Sequence, residues 1–73
     1  MNSYQIEALK IGFYESYHAK GKIKQWVKDN IPNESMHKDS MLHFARIIER
    51  NPDCPGMVYG MLYNAFEKVI SEL

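Results

Sequence analysis

One cysteine, three prolines and four glycines are scattered through the chain, and its nine basic side chains cancel its nine acidic ones. A lone cysteine forms no internal disulfide and offers no cysteine pair at zinc spacing. Balanced charge denies the chain the basic excess usual in nucleic-acid proteins. The longest stretch without a formal charge, residues 54–66, includes Pro55, Gly56, Gly60 and Asn64. It falls well short of the roughly 20 apolar residues that span a bilayer, so no membrane segment is expected. The opening residues, Met1-Asn2-Ser3-Tyr4-Gln5-Ile6-Glu7, lack the basic start and apolar run of a secretory signal, and cytoplasm is the expected compartment. Also missing are a glycine-rich phosphate loop with a lysine and a helical histidine pair enclosing a glutamate. Glu7, Glu15, Glu34 and Glu49 fall on polar faces where solvation is expected, so no carboxylate pair suggests acid-base work. The chain reads as a non-enzyme with no metal and no cofactor.

What is present is 73 residues, 45% of them hydrophobic, in the ordinary globular range. A chain this short buries only about 60% of the surface its unfolded form exposes, which excludes large catalytic folds and implies one domain over residues 1–73. Ile6, Leu9, Phe13 and Tyr17 recur at helical spacing over about residues 3–19, with Asn2 or Ser3 as cap and Gly21 as a left-handed stop. A short second helix, residues 22 to about 30, carries Ile23, Trp26 and Val27 on one side and ends before Pro32. Asn33 or Ser35 caps a third, with His37, Met41, Phe44, Ala45 and Ile48 on one face, until Asn51-Pro52 stops it. Asp53-Cys54-Pro55 looks like a cap and first-turn proline for a fourth helix, about residues 54–72. The expected fold is all-α: a compact bundle of four helices, one short, with no sheet. Its core should hold Leu9, Phe13, Trp26, Met41, Ile48, Leu62 and Val69.

Two helices carry more signal than burial alone requires. The fourth gathers Val58, Tyr59, Met61, Leu62, Tyr63, Ala65, Phe66, Val69, Ile70 and Leu73 in an arc about 200° wide, twice that of an ordinary surface helix. Either it is the central helix of the monomer, or Tyr59, Tyr63, Phe66 and Ile70 meet a protein partner or a second copy. On the first helix Ala8, Gly12 and Ser16 form a small-residue row, which predicts a close crossing with the fourth helix. Tyr4 and Ile11 lie on the opposite side as candidate contacts or simple exposed hydrophobes.

Lys20, Lys22, Lys24 and Lys28 form a local positive pole with Tyr14, Tyr17 and Trp26 nearby. In the simpler reading these lysines are solvated around a helix whose Trp26 is core; in the alternative they bind nucleic acid or a phosphorylated ligand. A helix-turn-helix with Lys38, His43, Arg46 and Arg50 toward DNA fits poorly, because Asp39 and Glu49 share that surface. Leu42, alone among the polar side, is a candidate protein contact. Cys54 is expected to be inert, although His37 is a candidate neighbour for its thiol. The function these features favour is a small helical interaction protein, a regulator or inhibitor that docks an apolar helix face on a protein partner or, as a homodimer, on itself.

Overall fold

The computed structural model describes residues 2–19, 21–53 and 56–73. Four helices make up the described chain: α1 (Ser3–His18), α2 (Ile23–Asn30), α3 (Lys38–Arg50) and α4 (Gly56–Glu72). Asn2 closes the start of α1 with a reciprocal capping box, its Oδ1 accepting from the Gln5 N–H and Gln5 Oε1 accepting from the Asn2 N–H, both at 2.9 Å. Gly21, at φ +83°, takes the left-handed conformation that the reversal into α2 requires. Pro32 ends α2 as expected, with Ile31 held extended before it. The third helix starts later than the sequence suggests. His37, not Asn33 or Ser35, occupies its N-cap, and His37 makes no side-chain cap bond. The expected cap and first-turn proline of α4 involve Cys54 and Pro55, which lie outside the described residues, as does the candidate role of the Cys54 thiol.

The core is built from every helix: Phe13 of α1, Ile23 and Val27 of α2, Met41 and Ala45 of α3, and Leu62, Ala65, Phe66 and Val69 of α4, with Ile31 from the following loop. Of the seven expected core residues, Phe13, Met41, Leu62 and Val69 are fully buried; Leu9, Trp26 and Ile48 pack half-buried around the rim. The rim also takes Leu42, which therefore serves the fold rather than standing out as a protein contact.

The close approach on α1 is real, but its partner differs from the one expected. An added Cβ at Gly12 would stand 2.8 Å from Trp26 Nε1, so the small-residue row admits the indole of α2 instead of the backbone of α4. Helices α1 and α4 meet through aromatic rings: Phe13 stacks on Phe66 with centroids 4.4 Å apart, and Tyr17 tilts onto Tyr59 at 4.4 Å. Rings of that size hold two backbones apart.

Helix α2 has eight residues and no side-chain cap of its own. Helix α3 supplies both ends. Glu49 Oε1 accepts the Lys24 N–H at 2.9 Å at the start of α2. At the other end the buried Lys38 Nζ donates to Ile31 O at 2.7 Å, Asn33 Oδ1 at 2.6 Å and Lys28 O at 3.4 Å. A carboxylate at the N-terminus and an ammonium at the C-terminus both suit the helix dipole. Glu49 is thus not simply solvated, and Lys38 is not a surface residue available to DNA. Lys38, Met41, Ala45 and Glu49 share one face of α3, with the positions of Lys38 and Glu49 separated by a rise of about 16 Å along the helix.

Gly12→Ala should lower the melting temperature although it gains helix propensity, because the new methyl meets a wedged indole. Gly60→Ala should raise stability by about 0.5–1 kcal/mol, since no atom lies within 4 Å of its added Cβ. Thermal melts of both variants check the pair, and equal signs would contradict it. Lys38→Met should cost about 1–3 kcal/mol by leaving buried carbonyl oxygens without a donor. Glu49→Ala should cost about 0.5–2 kcal/mol as a lost cap, with Glu49→Gln recovering most of it. Urea denaturation reads all three.

Candidate functional site

The four residues expected to meet a partner separate in the fold. Phe66 is 0% exposed, flat against Phe13 and edge-on to Trp26 at 5.9 Å, so it belongs to the core and not to a contact surface. The wide apolar arc of α4 is covered by α3 on one flank and by aromatic side chains of α1 on the other. Tyr59 and Ile70 are half-buried against the core. Burial raises the Tyr59 pKa above its ordinary 10.0, with a smaller contribution from Tyr17 and then Tyr14. Tyr63 remains 40% exposed. A hydrogen bond to Glu67, one turn along, raises the Tyr63 pKa, since the phenol proton it uses must be kept.

Beyond Tyr63 the outer side of α4 shows residues that the apolar arc did not single out. Gly56, Gly60 and Asn64 recur every four residues and form a low strip along the helix. Tyr59 and Tyr63 border it on one side, while Met57 and the exposed Met61 border it on the other. Gly60 costs the helix about 0.8–1.0 kcal/mol relative to alanine. Nothing among the described residues explains that cost, because no neighbouring atom lies within 4 Å of the position of its Cβ. The Gly-x-x-x-Gly spacing is visible in the sequence and was the signal that could have found this strip.

The basic segment does not assemble into one platform. Lys20 lies outside the described residues. Lys22 and Lys28 are exposed, whereas Lys24 is half-buried with its N–H on Glu49. Trp26 is wedged at Gly12 and held edge-on by Phe13 at 5.8 Å and by Phe66, which makes it part of the packing. Beside it, an open groove of about 550 Å³ between α1 and α2 mixes Lys22 with Glu15 and Asp29. A smaller cleft of about 160 Å³, lined in part by Tyr17, His18, Ile23 and Glu49, is well below the roughly 300 Å³ at which ligand pockets begin.

His37 finds a partner in α4. Its Nε2 lies 3.1 Å from Glu72 Oε1, and Ser35 Oγ donates to Glu72 Oε2 at 2.8 Å, fastening the loop before α3 to the last turn of α4. Among the described residues no three His, Cys, Asp or Glu side chains are placed to hold a metal, and no helix is long and apolar enough to cross a membrane. Compared with protein-family models, curated proteins and solved structures, the chain matches none.

The tyrosine environment is testable by titration. Glu67→Ala should bring the Tyr63 ionisation back toward 10.0 while leaving Tyr59 raised, as read by ring NMR shifts. Both folded-state values lie above the unfolded one. Their contribution to stability is therefore complete below pH 10.0 and is lost as pH rises through the folded values. An alkaline melt unchanged by Glu67→Ala and Tyr59→Phe would contradict that assignment.

Proposed function

We propose that the protein is a small helical interaction protein, a regulator or inhibitor that works by docking the outer face of α4 on a protein partner. The observation that carries this reading is Gly60. A glycine in the interior of a seventeen-residue helix, with no neighbour to accommodate, lowers the surface where another backbone can approach. Tyr59 and Tyr63 on one border and Met57 and Met61 on the other supply aromatic and adaptable apolar contact. A partner helix laid along the strip would touch all four, while Ile70 extends the apolar border toward the end of α4. This is the helix-on-helix mode of recognition, in which a few anchors at i, i+3, i+4 and i+7 carry the contact.

The alternative, nucleic-acid or phosphorylated-ligand binding through Lys20, Lys22, Lys24 and Lys28, has less support. Its aromatic member Trp26 is engaged in the core rim, and acids stand beside the lysines. One set of variants separates the two. Gly60→Trp should keep the helical circular dichroism of the wild type, because the position is open. It should also abolish retention of a partner in affinity capture that Lys22→Glu with Lys28→Glu leaves intact. Oligonucleotide binding at low salt that the lysine variant abolishes and Gly60→Trp preserves would replace the docking reading with the nucleic-acid one.

A further inference from the structure

We infer that α1 carries a second, independent contact surface, and that its occupant is another copy of the same chain packed antiparallel. Tyr4, Glu7, Ile11, Tyr14 and His18 follow one another at spacings of three, four, three and four residues. That is the a/d rhythm that keeps side chains on one seam of a helix facing a partner helix. The seam points about 140° around α1 from the buried Phe13, counting about 100° per residue. None of its members enters the core. Tyr4 is 88% exposed, Ile11 53% and Tyr14 60%, and Glu7 and His18 are exposed as well. Within the copy, Tyr14 and His18 already meet edge-on with ring centroids 4.4 Å apart, which lowers the ordering cost when a partner arrives.

The sequence of the seam chooses the occupant. Turned antiparallel about a two-fold axis between Gly12 and Phe13, the stretch from Glu7 to His18 is complementary to itself, and Tyr4 lies beyond the paired register. Ile11 of one copy meets Tyr14 of the second and, by symmetry, Tyr14 meets Ile11. Glu7 meets His18 at one end and His18 meets Glu7 at the other, so each carboxylate finds an imidazole that donates to it. The flanking Lys10 falls beside Tyr17 of the second copy and Glu15 beside its Ala8, and no like charges oppose. A parallel pair would place Glu7 on Glu7 and His18 on His18, so charge selects the antiparallel arrangement. Such a contact is isologous and closes at two copies.

The size of the seam sets the strength. The paired stretch from Glu7 to His18 rises about 16 Å along the helix, which places the interface at the small, transient end of the range, below about 1,200 Å². The dimer is accordingly weak and is sought at high concentration.

Sedimentation equilibrium of the full chain from about 10 µM to about 1 mM tests the inference. The weight-average mass should climb from 8.6 kDa toward twice that value. Ile11→Glu should remain monomeric throughout with unchanged helix content. Glu7→Lys should weaken association about tenfold, and adding His18→Glu to it should restore association by reversing the pair. A wild type that stays monomeric over the whole range overturns the inference. So does a dimer that Ile11→Glu leaves intact, or a folded charge-swapped double variant that fails to recover. Self-association lost with Gly60→Trp but kept with Ile11→Glu would place it on α4 and leave the α1 seam an ordinary surface.

Discussion

The fold depends on a clamp that α3 places on α2. Eight residues make barely two turns, and a helix of that length is not stable alone in water. It has no side-chain N-cap, and although Asn30 Nδ2 donates to Trp26 O near its C-terminus, Glu49 and Lys38 from a single helix engage both of its ends. Between those charges the same face of α3 offers Met41 and Ala45 to the core. One strip of α3 therefore satisfies the backbone of α2, matches its dipole and buries its apolar side at once.

Everything that α1 does follows from α2 being held. The clamp positions Trp26, whose indole fits only because Gly12 has no side chain. Trp26 in turn sets an edge against both Phe13 and Phe66, the stacked pair that joins α1 to α4. A continuous aromatic layer results: Tyr63 touches both Phe13 and Phe66, and beyond it Tyr59 and then Tyr17 carry the layer on. Because α1 rests on α4 through rings, each of these helices turns a second side outward. The outer sides of α1 and α4 are the surfaces on which the two proposed contacts stand.

Much of this was legible from local pattern and some was not, for a physical reason. Helix number, the short second helix, the stops at Gly21 and Pro32 and the burial of Phe13, Met41, Leu62 and Val69 all rest on signals within a few residues of one another. The roles of Glu49 and Lys38 rest on which helix end each meets in space. Periodicity assigns a charged residue to a polar face and is silent about an orphan N–H or C=O on another helix. Phe66 shows the same limit from the apolar side. An arc 200° wide says that two flanks are covered, and the covering layer could be α1 or a second molecule; only Phe13 stacked on it decides. The same limit divides the four residues expected to meet a partner: Phe66 lies in the core, Tyr59 and Ile70 are half-buried against it, and Tyr63 stays 40% exposed.

Gly12 in α1 and Gly60 in α4 stand in opposite surroundings. Gly12 and Gly60 incur a similar loss of helix propensity, yet Trp26 accounts for the first and nothing among the described residues accounts for the second. Charge offers the outer face of α4 little help in choosing a partner. The net charge is zero, and Lys38, Glu49 and the His37–Glu72 pair are already engaged inside the fold. Without a strong long-range field, encounter is not steered and selectivity falls to shape and desolvation at close contact. A lowered strip between two tyrosines and two methionines provides such selectivity through the depth a glycine leaves. On α1, where no glycine lies in the seam, it comes instead from the order of side chains along it.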